Sequence, residues 1–155
     1  MAKRTNPTER ERLAHLATAC VCNNLRRASR AVTNYYDHLL DQTSDLRSSQ
    51  CPILVVLYLS GPHTINDLAT KLALDRTTLT RNLKPLAHHG LLTIAAGSDQ
   101  RTRVVTITAQ GEQALLRALP LWEQAQAHMV EGIGHARVAT LLSQLADVAA
   151  VAHDD

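Results

Sequence analysis

Apolar residues between positions 8 and 40 return every three or four places, at Leu13, Leu16, Ala17, Val21, Leu25, Ala28, Val32, Tyr35, Tyr36 and Leu39. That spacing keeps one side of a helix apolar and predicts a single long helix over 8–40. Thr8 caps it, and Glu9 and Glu11 complement the positive end of its dipole. Arg26, Arg27 and Arg30 fall opposite the stripe, as a solvated face does. After a polar link, the apolar run 52–59 opens on Pro52, which a helix tolerates in its first turn, and predicts a short buried helix. Ser60, Gly61 and Pro62 end it, and Thr64 with Asp67 three residues on resembles a capping box for another short helix with Ile65, Leu68, Ala69 and Leu72 inside.

Asp75 is a good N-cap for a further helix over 75–89, which Gly90 closes. Its inner side carries Leu79, Leu83, Leu86 and Ala87, its outer side Arg76, Thr77, Thr80, Arg81 and Lys84, and Pro85 is expected to shorten or bend its last turn. The runs 91–95 and 103–107 are β-prone and predict a hairpin around 96–102. A long helix follows from about 109, capped by Thr108, with Leu115, Leu119, Trp122 and Met129 on one stripe and a bend expected at Pro120. A last helix from about 135 carries Val138, Leu141, Leu142, Leu145, Val148, Ala149 and Ala152. The expected fold is mainly α: a winged helix-turn-helix over 51–108 with a two-stranded β wing, between long dimerisation helices over 8–50 and 109–155, all within one domain, 1–155.

Composition agrees with one helical domain. The chain has 155 residues, enough for one hydrophobic core and too few for a second independent one. It lacks Phe and carries 45% hydrophobic residues, so Leu, Ala, Val and Ile build the core. The longest apolar run is well short of the roughly 20 residues that cross a bilayer, and no apolar segment follows Lys3 and Arg4, so a cytoplasmic protein without a membrane partner is expected. The net charge of +2 is unevenly spread: residues 75–103 carry +3 and the rest −1.

Two short helices joined by a tight turn allow the second to lie in the major groove of double-stranded DNA. The 75–89 helix is the reader, with Arg76, Thr77, Thr78, Thr80 and Arg81 able to donate to phosphates and base edges, and Lys84 suited to a phosphate. On the wing, Arg101 is the stronger choice for the minor groove, although imperfect alternation over 103–107 leaves Arg103 open for that role.

The segments Ile65-Asn66-Asp67-Leu68-Ala69, Thr77-Thr78-Leu79-Thr80-Arg81-Asn82-Leu83, Gly90-Leu91-Leu92, Asp99-Gln100-Arg101 and Thr106-Ile107-Thr108-Ala109-Gln110-Gly111 occur in an order that resembles the MarR family of regulators, over nearly the whole chain. The resemblance implies an obligate homodimer that binds a near-palindromic operator, most often as a repressor, with half-sites about one DNA turn apart. It also implies that Asp99 positions the wing arginine, Arg101. Pro85 and the pair His88 and His89 depart from the usual charged end of the reading helix.

Such regulators respond to an effector. Three cysteines are candidates, Cys20, Cys22 and Cys51, sensing an oxidant or a soft metal ion as thiolates. On one continuous helix Cys20 and Cys22 would point about 200° apart, so pairing either with Cys51 or with a thiol of a second subunit is the expected arrangement. The alternative, implied by the resemblance alone, is a phenolic or aromatic-acid ligand in a pocket between the long first helix, the Pro52 helix and the reading head, with Arg27, Tyr35, Tyr36 and His38 able to line it. His88 and His89 lack the spacing that places two ligands on one helix face, and no metal or cofactor is assigned. A thiol enzyme is disfavoured: there is no Cys-x-x-Cys, Gly-rich nucleotide loop, Gly-x-Ser-x-Gly elbow or His-Glu-x-x-His motif. A helical adaptor without DNA would leave the basic face and the Asp99-Arg101 wing unexplained.

Overall fold

The computed structural model describes residues 6–42, 46–97, 99 and 101–153, with two units dividing after Tyr35. In the first unit, helix α1 (Pro7–Ala19) is capped by Asn6 rather than Thr8: the Asn6 Oδ1 accepts from the Thr8 N–H at 3.2 Å, and the Glu9 carboxylate accepts from the Asn6 N–H at 3.4 Å. Helix α2 (Val21–Leu40) begins in this unit and runs on past Tyr35. The single long helix expected over 8–40 is therefore two. Cys20 between them adopts an extended conformation, φ −66° and ψ 114°. No Gly or Pro causes the break: the Asn23 amide donates to the Ala17 carbonyl, and the Asn24 amide to those of Thr18 and Cys20, so side chains take over carbonyls that a continuous helix would bond itself.

The second unit is a core of leucines. Leu40, Leu46, Ile53, Leu54, Leu57, Leu68, Leu79, Leu83, Leu86, Leu92 and Val105 are fully buried. They come from α2, the link after it, α3 (Cys51–Ser60), α4 (Ile65–Lys71), α5 (Arg76–His88), β2 (Leu92–Ala96) and β3 (Arg103–Ile107). Truncating any of these leucines to Ala would cost about 2–5 kcal/mol. The hairpin pairs antiparallel from Leu92 opposite Ile107 to Ala96 opposite Arg103. The sheet has a third strand that the sequence pattern did not suggest, β1 (His63–Thr64), which sets His63 against Val105 and Thr64 against Val104 on the other side of β3.

Both helix-turn-helix caps form. The Thr64 hydroxyl accepts from the Asp67 N–H at 3.1 Å and donates to its carboxylate at 2.7 Å, so Asp67 answers the cap by binding the hydroxyl rather than the cap's own N–H. Between α4 and α5 the backbone turns through Ala73 at φ 50°, where the Leu74 N–H reaches the Ala69 carbonyl at 2.9 Å. Asp75 then accepts from the Thr78 N–H at 2.8 Å and from the Thr78 hydroxyl at 2.6 Å. Pro85 does not end α5, which continues to His88. Its missing N–H falls in the last turn, on an exposed side where water can bond the freed carbonyl.

Helix α6 (Ala109–Ile133) starts at a tight joint with the end of α5. Thr108 caps it by accepting from the Gly111 N–H at 3.0 Å, while its hydroxyl donates to the Gly90 carbonyl at 2.7 Å and its N–H to the Leu91 carbonyl at 3.1 Å. Gln110 adds a bond to the His89 carbonyl at 3.2 Å. Gly111 is buried here, and a methyl in its place would collide with the Leu91 carbonyl oxygen and sit 2.9 Å from Ile107. Gly134, at φ 96°, separates α6 from α7 (His135–His153).

Two stability predictions follow from these local structures. Gly111→Ala should lower the unfolding free energy in urea by about 1–3 kcal/mol through overpacking. Gly132→Ala, in open space on α6, should raise it by about 0.5–1 kcal/mol. Asp75 gives the second. The Thr78 hydroxyl, then the Thr78 N–H, hold its carboxyl below the ordinary 3.8, so its contribution is present above that value and is lost as pH falls through the lower folded one. Thermal midpoints measured down an acid series should therefore fall more steeply for the native protein than for Asp75→Asn, which keeps an acceptor for the Thr78 N–H without the charge. Parallel curves would contradict this role.

Candidate nucleic-acid interface

The outer side of α5 is built by the same periodicity that buries its inner side. With Leu79, Leu83 and Leu86 in the core, Arg76, Thr77, Thr80, Arg81 and Lys84 are left facing outward, and they line one open concavity. Among the described residues none of these three cations is ion-paired, so their field is not neutralised by a neighbouring carboxylate. The Thr80 hydroxyl donates back to the Arg76 carbonyl at 2.7 Å and keeps its acceptor lone pairs outward.

Thr78 departs from the expected set. It is half-buried, its hydroxyl donates to Asp75, its carbonyl accepts from the Asn82 amide at 3.1 Å, and it does not line the concavity. A hydroxyl three residues after an acidic N-cap is within reach of it, and that is where this one is used. Asn82 in turn accepts from the Ser49 hydroxyl at 3.1 Å, which fastens the helix to the segment before α3.

On the wing, Asp99 organises the backbone. Its carboxylate accepts from the Arg101 N–H at 2.9 Å, and its carbonyl accepts from the N–H and hydroxyl of Thr102 at 2.9 and 2.7 Å. The Gly97 N–H closes the loop on the Thr102 carbonyl at 3.1 Å. Arg101 and Arg103 are both exposed, and both line a second, smaller pocket that also includes Arg76. Gln100 lies outside the described residues.

The three thiols differ. Cys51 is buried at the start of α3, and burial, with the charge of Asp37 adding to it, pushes its thiol up to about 11. It therefore stays protonated at neutral pH, unlike a reactive or metal-binding thiolate. Cys22 is exposed and Cys20 half-exposed, and the break at Cys20 removes the helical geometry that would have turned the two apart. Among the described residues no group of three or more His, Cys, Asp and Glu is placed to hold a metal ion.

A cavity of about 410 Å³ opens beside Cys51, walled by Tyr36, Pro52, Val55, Leu119 and Trp122, with Ser48 at its edge. Tyr36 was among the residues expected to line such a cleft. Its hydroxyl donates to Gln126 at 2.9 Å. Of the others, His38 and Arg27 are exposed on α2 and Tyr35 is half-buried there. The cavity is lined from α2, from α3 and, in place of the reading head, from α6, whose residues lie too far along the chain for spacing to bring them there.

No helix among the described residues is long and apolar enough to cross a membrane. A family model described as the MarR family matches residues 46–101, from before α3 into the wing. The chain is 36% identical to the Mycobacterium tuberculosis transcriptional regulator MosR, solved in complex with DNA, over 86% of this chain and 98% of that one, with a TM-score of 0.76. It is 25% identical to the transcriptional repressor CouR, solved on a 23-mer DNA duplex, over 86% of this chain and 95% of that one, also with a TM-score of 0.76. A curated Bacillus cereus relative, described as an uncharacterized HTH-type transcriptional regulator, is 34% identical over 76 residues, 49% of this chain. The chain spans about half the length of the curated relatives it matches. These relatives are transcriptional regulators, not enzymes. With its helix-turn-helix, its wing and this match to MosR along the chain, the protein belongs to the MarR family of winged-helix transcriptional regulators.

Proposed function

We propose that this chain is a cytoplasmic transcriptional repressor that binds a near-palindromic duplex as a homodimer and releases it when an effector binds. The observation that carries the DNA reading is the outer side of α5, with three cations that have no ion pair among the described residues and two threonines on one concavity. The DNA-bound relatives MosR and CouR support it, and CouR is described as a repressor. A second copy of the chain is supported by α7, whose Leu141, Leu142, Leu145 and Val148 are 38–59% exposed and recur at helical spacing. Burying what remains exposed of each would contribute about 0.5–2 kcal/mol. Leu13 and Leu16 of α1 are likewise exposed.

Arg81 reads a base edge and Lys84 grips a phosphate in this proposal. On a duplex recovered by random-sequence selection, binding two chains per site, Arg81→Ala should lose about 1–3 kcal/mol of discrimination against random DNA. Lys84→Ala should weaken both duplexes alike and flatten the salt dependence. Equal losses on both duplexes for Arg81→Ala would remove its reading role.

For the effector, the cavity beside Cys51 supports a small uncharged aromatic molecule over a thiol trigger or an aromatic acid. Among the described residues its lining holds no cation, and the charge near enough to raise the Cys51 thiol is the negative one of Asp37. An anionic ligand would meet repulsion there. Trp122 lines the cavity and is the chain's single tryptophan, so its fluorescence reports occupancy. A neutral phenol should change that fluorescence saturably and lower DNA affinity, while benzoate should do neither. Loss of DNA binding on mild oxidation, abolished by Cys20→Ser with Cys22→Ser, would instead place the trigger at those exposed thiols.

A further inference from the structure

The link between α2 and α3 carries two neighbouring serines with different partners. Ser48 sits at the edge of the cavity beside Cys51, and its N–H donates to the Asp37 carboxylate at 2.6 Å. Ser49, the next residue, is exposed, and its hydroxyl donates across to Asn82 in the middle of α5 at 3.1 Å. The Asn82 amide donates in turn to the Thr78 carbonyl at 3.1 Å, so both ends of that side chain are held. One step along the chain and one hydrogen bond therefore separate the cavity from the reading helix.

The turn that joins them is stiff. The Gln50 N–H donates to the Arg47 carbonyl at 2.8 Å, and the Gln50 side chain accepts from the Arg47 N–H at 2.9 Å, which closes residues 47–50 from both directions. Gln50 is buried, at 6% exposure, and a polar side chain there has to be bonded; this one is bonded to the turn itself. The Cys51 N–H also reaches the Arg47 carbonyl, at 3.3 Å, and Cys51 and Pro52 go on to wall the cavity. A turn closed in this way moves as a body, so whatever displaces Ser48 and Cys51 displaces Ser49. Asn82 stands between Arg81, which lines the outer concavity, and Leu83 of the core. The bond thus meets α5 at the turn that carries Arg81 and Lys84, whereas the α6 wall of the cavity meets the chain only after α5 has ended, through Thr108 and Gly90.

We propose that Ser49 and Asn82 are positioning residues for the release of DNA. When the cavity beside Cys51 fills, the 47–50 turn shifts, and the hydrogen bond from Ser49 to Asn82 draws the middle of α5 with it, taking Arg81 out of register with the bases. This rests on the effector and DNA readings above and supplies the contact through which one acts on the other. A bond that merely fastened α5 would hold it equally in both states, and its loss would change DNA affinity by the same factor with and without effector.

The quantity that separates the two roles is the coupling ratio: the phenol dissociation constant with a selected duplex bound, divided by that without it. Trp122 lines the cavity and is the chain's single tryptophan, so its fluorescence reads both constants. Duplex affinities measured with and without saturating phenol must give the same ratio, which makes the measurement self-checking. In the native protein the ratio should be about 5 or more. Ser49→Ala should lower it toward 1 by about twofold or more, the least expected from losing one hydrogen bond, whatever it does to either affinity alone. Ser49→Thr, which keeps the hydroxyl, should retain the native ratio, and Asn82→Ala added to Ser49→Ala should lower it no further. A native ratio in Ser49→Ala would overturn the positioning role and leave the effector and DNA readings standing. Phenol that leaves the native Trp122 fluorescence unchanged, or that binds without altering duplex affinity, would overturn the effector reading and the positioning role with it.

Discussion

The joint between the end of α5 and the start of α6 holds the rest of the second unit in register. Thr108 spends its hydroxyl and its N–H on two consecutive carbonyls, Gly90 and Leu91, and caps a 25-residue helix with the same side chain. Gly111 lets the Leu91 carbonyl come close enough for this to happen. One threonine thus settles where the reading helix ends, where the first strand of the hairpin begins and in which direction α6 departs.

The same joint gives the effector reading a physical route. Helix α6 contributes Leu115, Leu119 and Trp122 to the cavity beside Cys51, about two to four turns after Thr108, which bonds to Gly90 and Leu91. A ligand pressing on that stretch presses on a helix whose first turn is hydrogen-bonded to the end of α5. Packed interiors respond to such displacement as rigid bodies more than by local yielding. The coupling proposed between effector and DNA therefore needs no unfolding, only a small rotation of α6 about its first turn.

Much of this was legible in the sequence, because helix caps and apolar periodicity are local. Thr64, Asp75 and Thr108 each cap the helix that spacing assigned to them, and the hairpin runs matched the strands within a residue. What escaped was decided by side chains reaching beyond their own periodicity. Asn23 and Asn24 divide an apolar stripe that gives no sign of a break, because they bond carbonyls four to six residues behind them. Strand β1 is too short to alternate and is defined only by its partner, β3. Thr78 belongs by composition to the hydroxyl-rich outer side, yet its hydroxyl goes to Asp75. Cys51 read as a thiol by identity and as core by burial, and burial decides its chemistry.

Strand β1 also bears on how this protein behaves at high concentration. The sheet is only three strands wide, and an open edge on β3 would present unpaired N–H and C=O groups to any passing chain. His63 and Thr64 occupy that edge, Pro62 on one side has no N–H to offer a further strand, and α4 turns the chain away on the other. Two residues of sheet are enough to end the row while adding little new edge of their own. A protein that must leave the wing exposed thereby closes one place where copies could stack edge to edge.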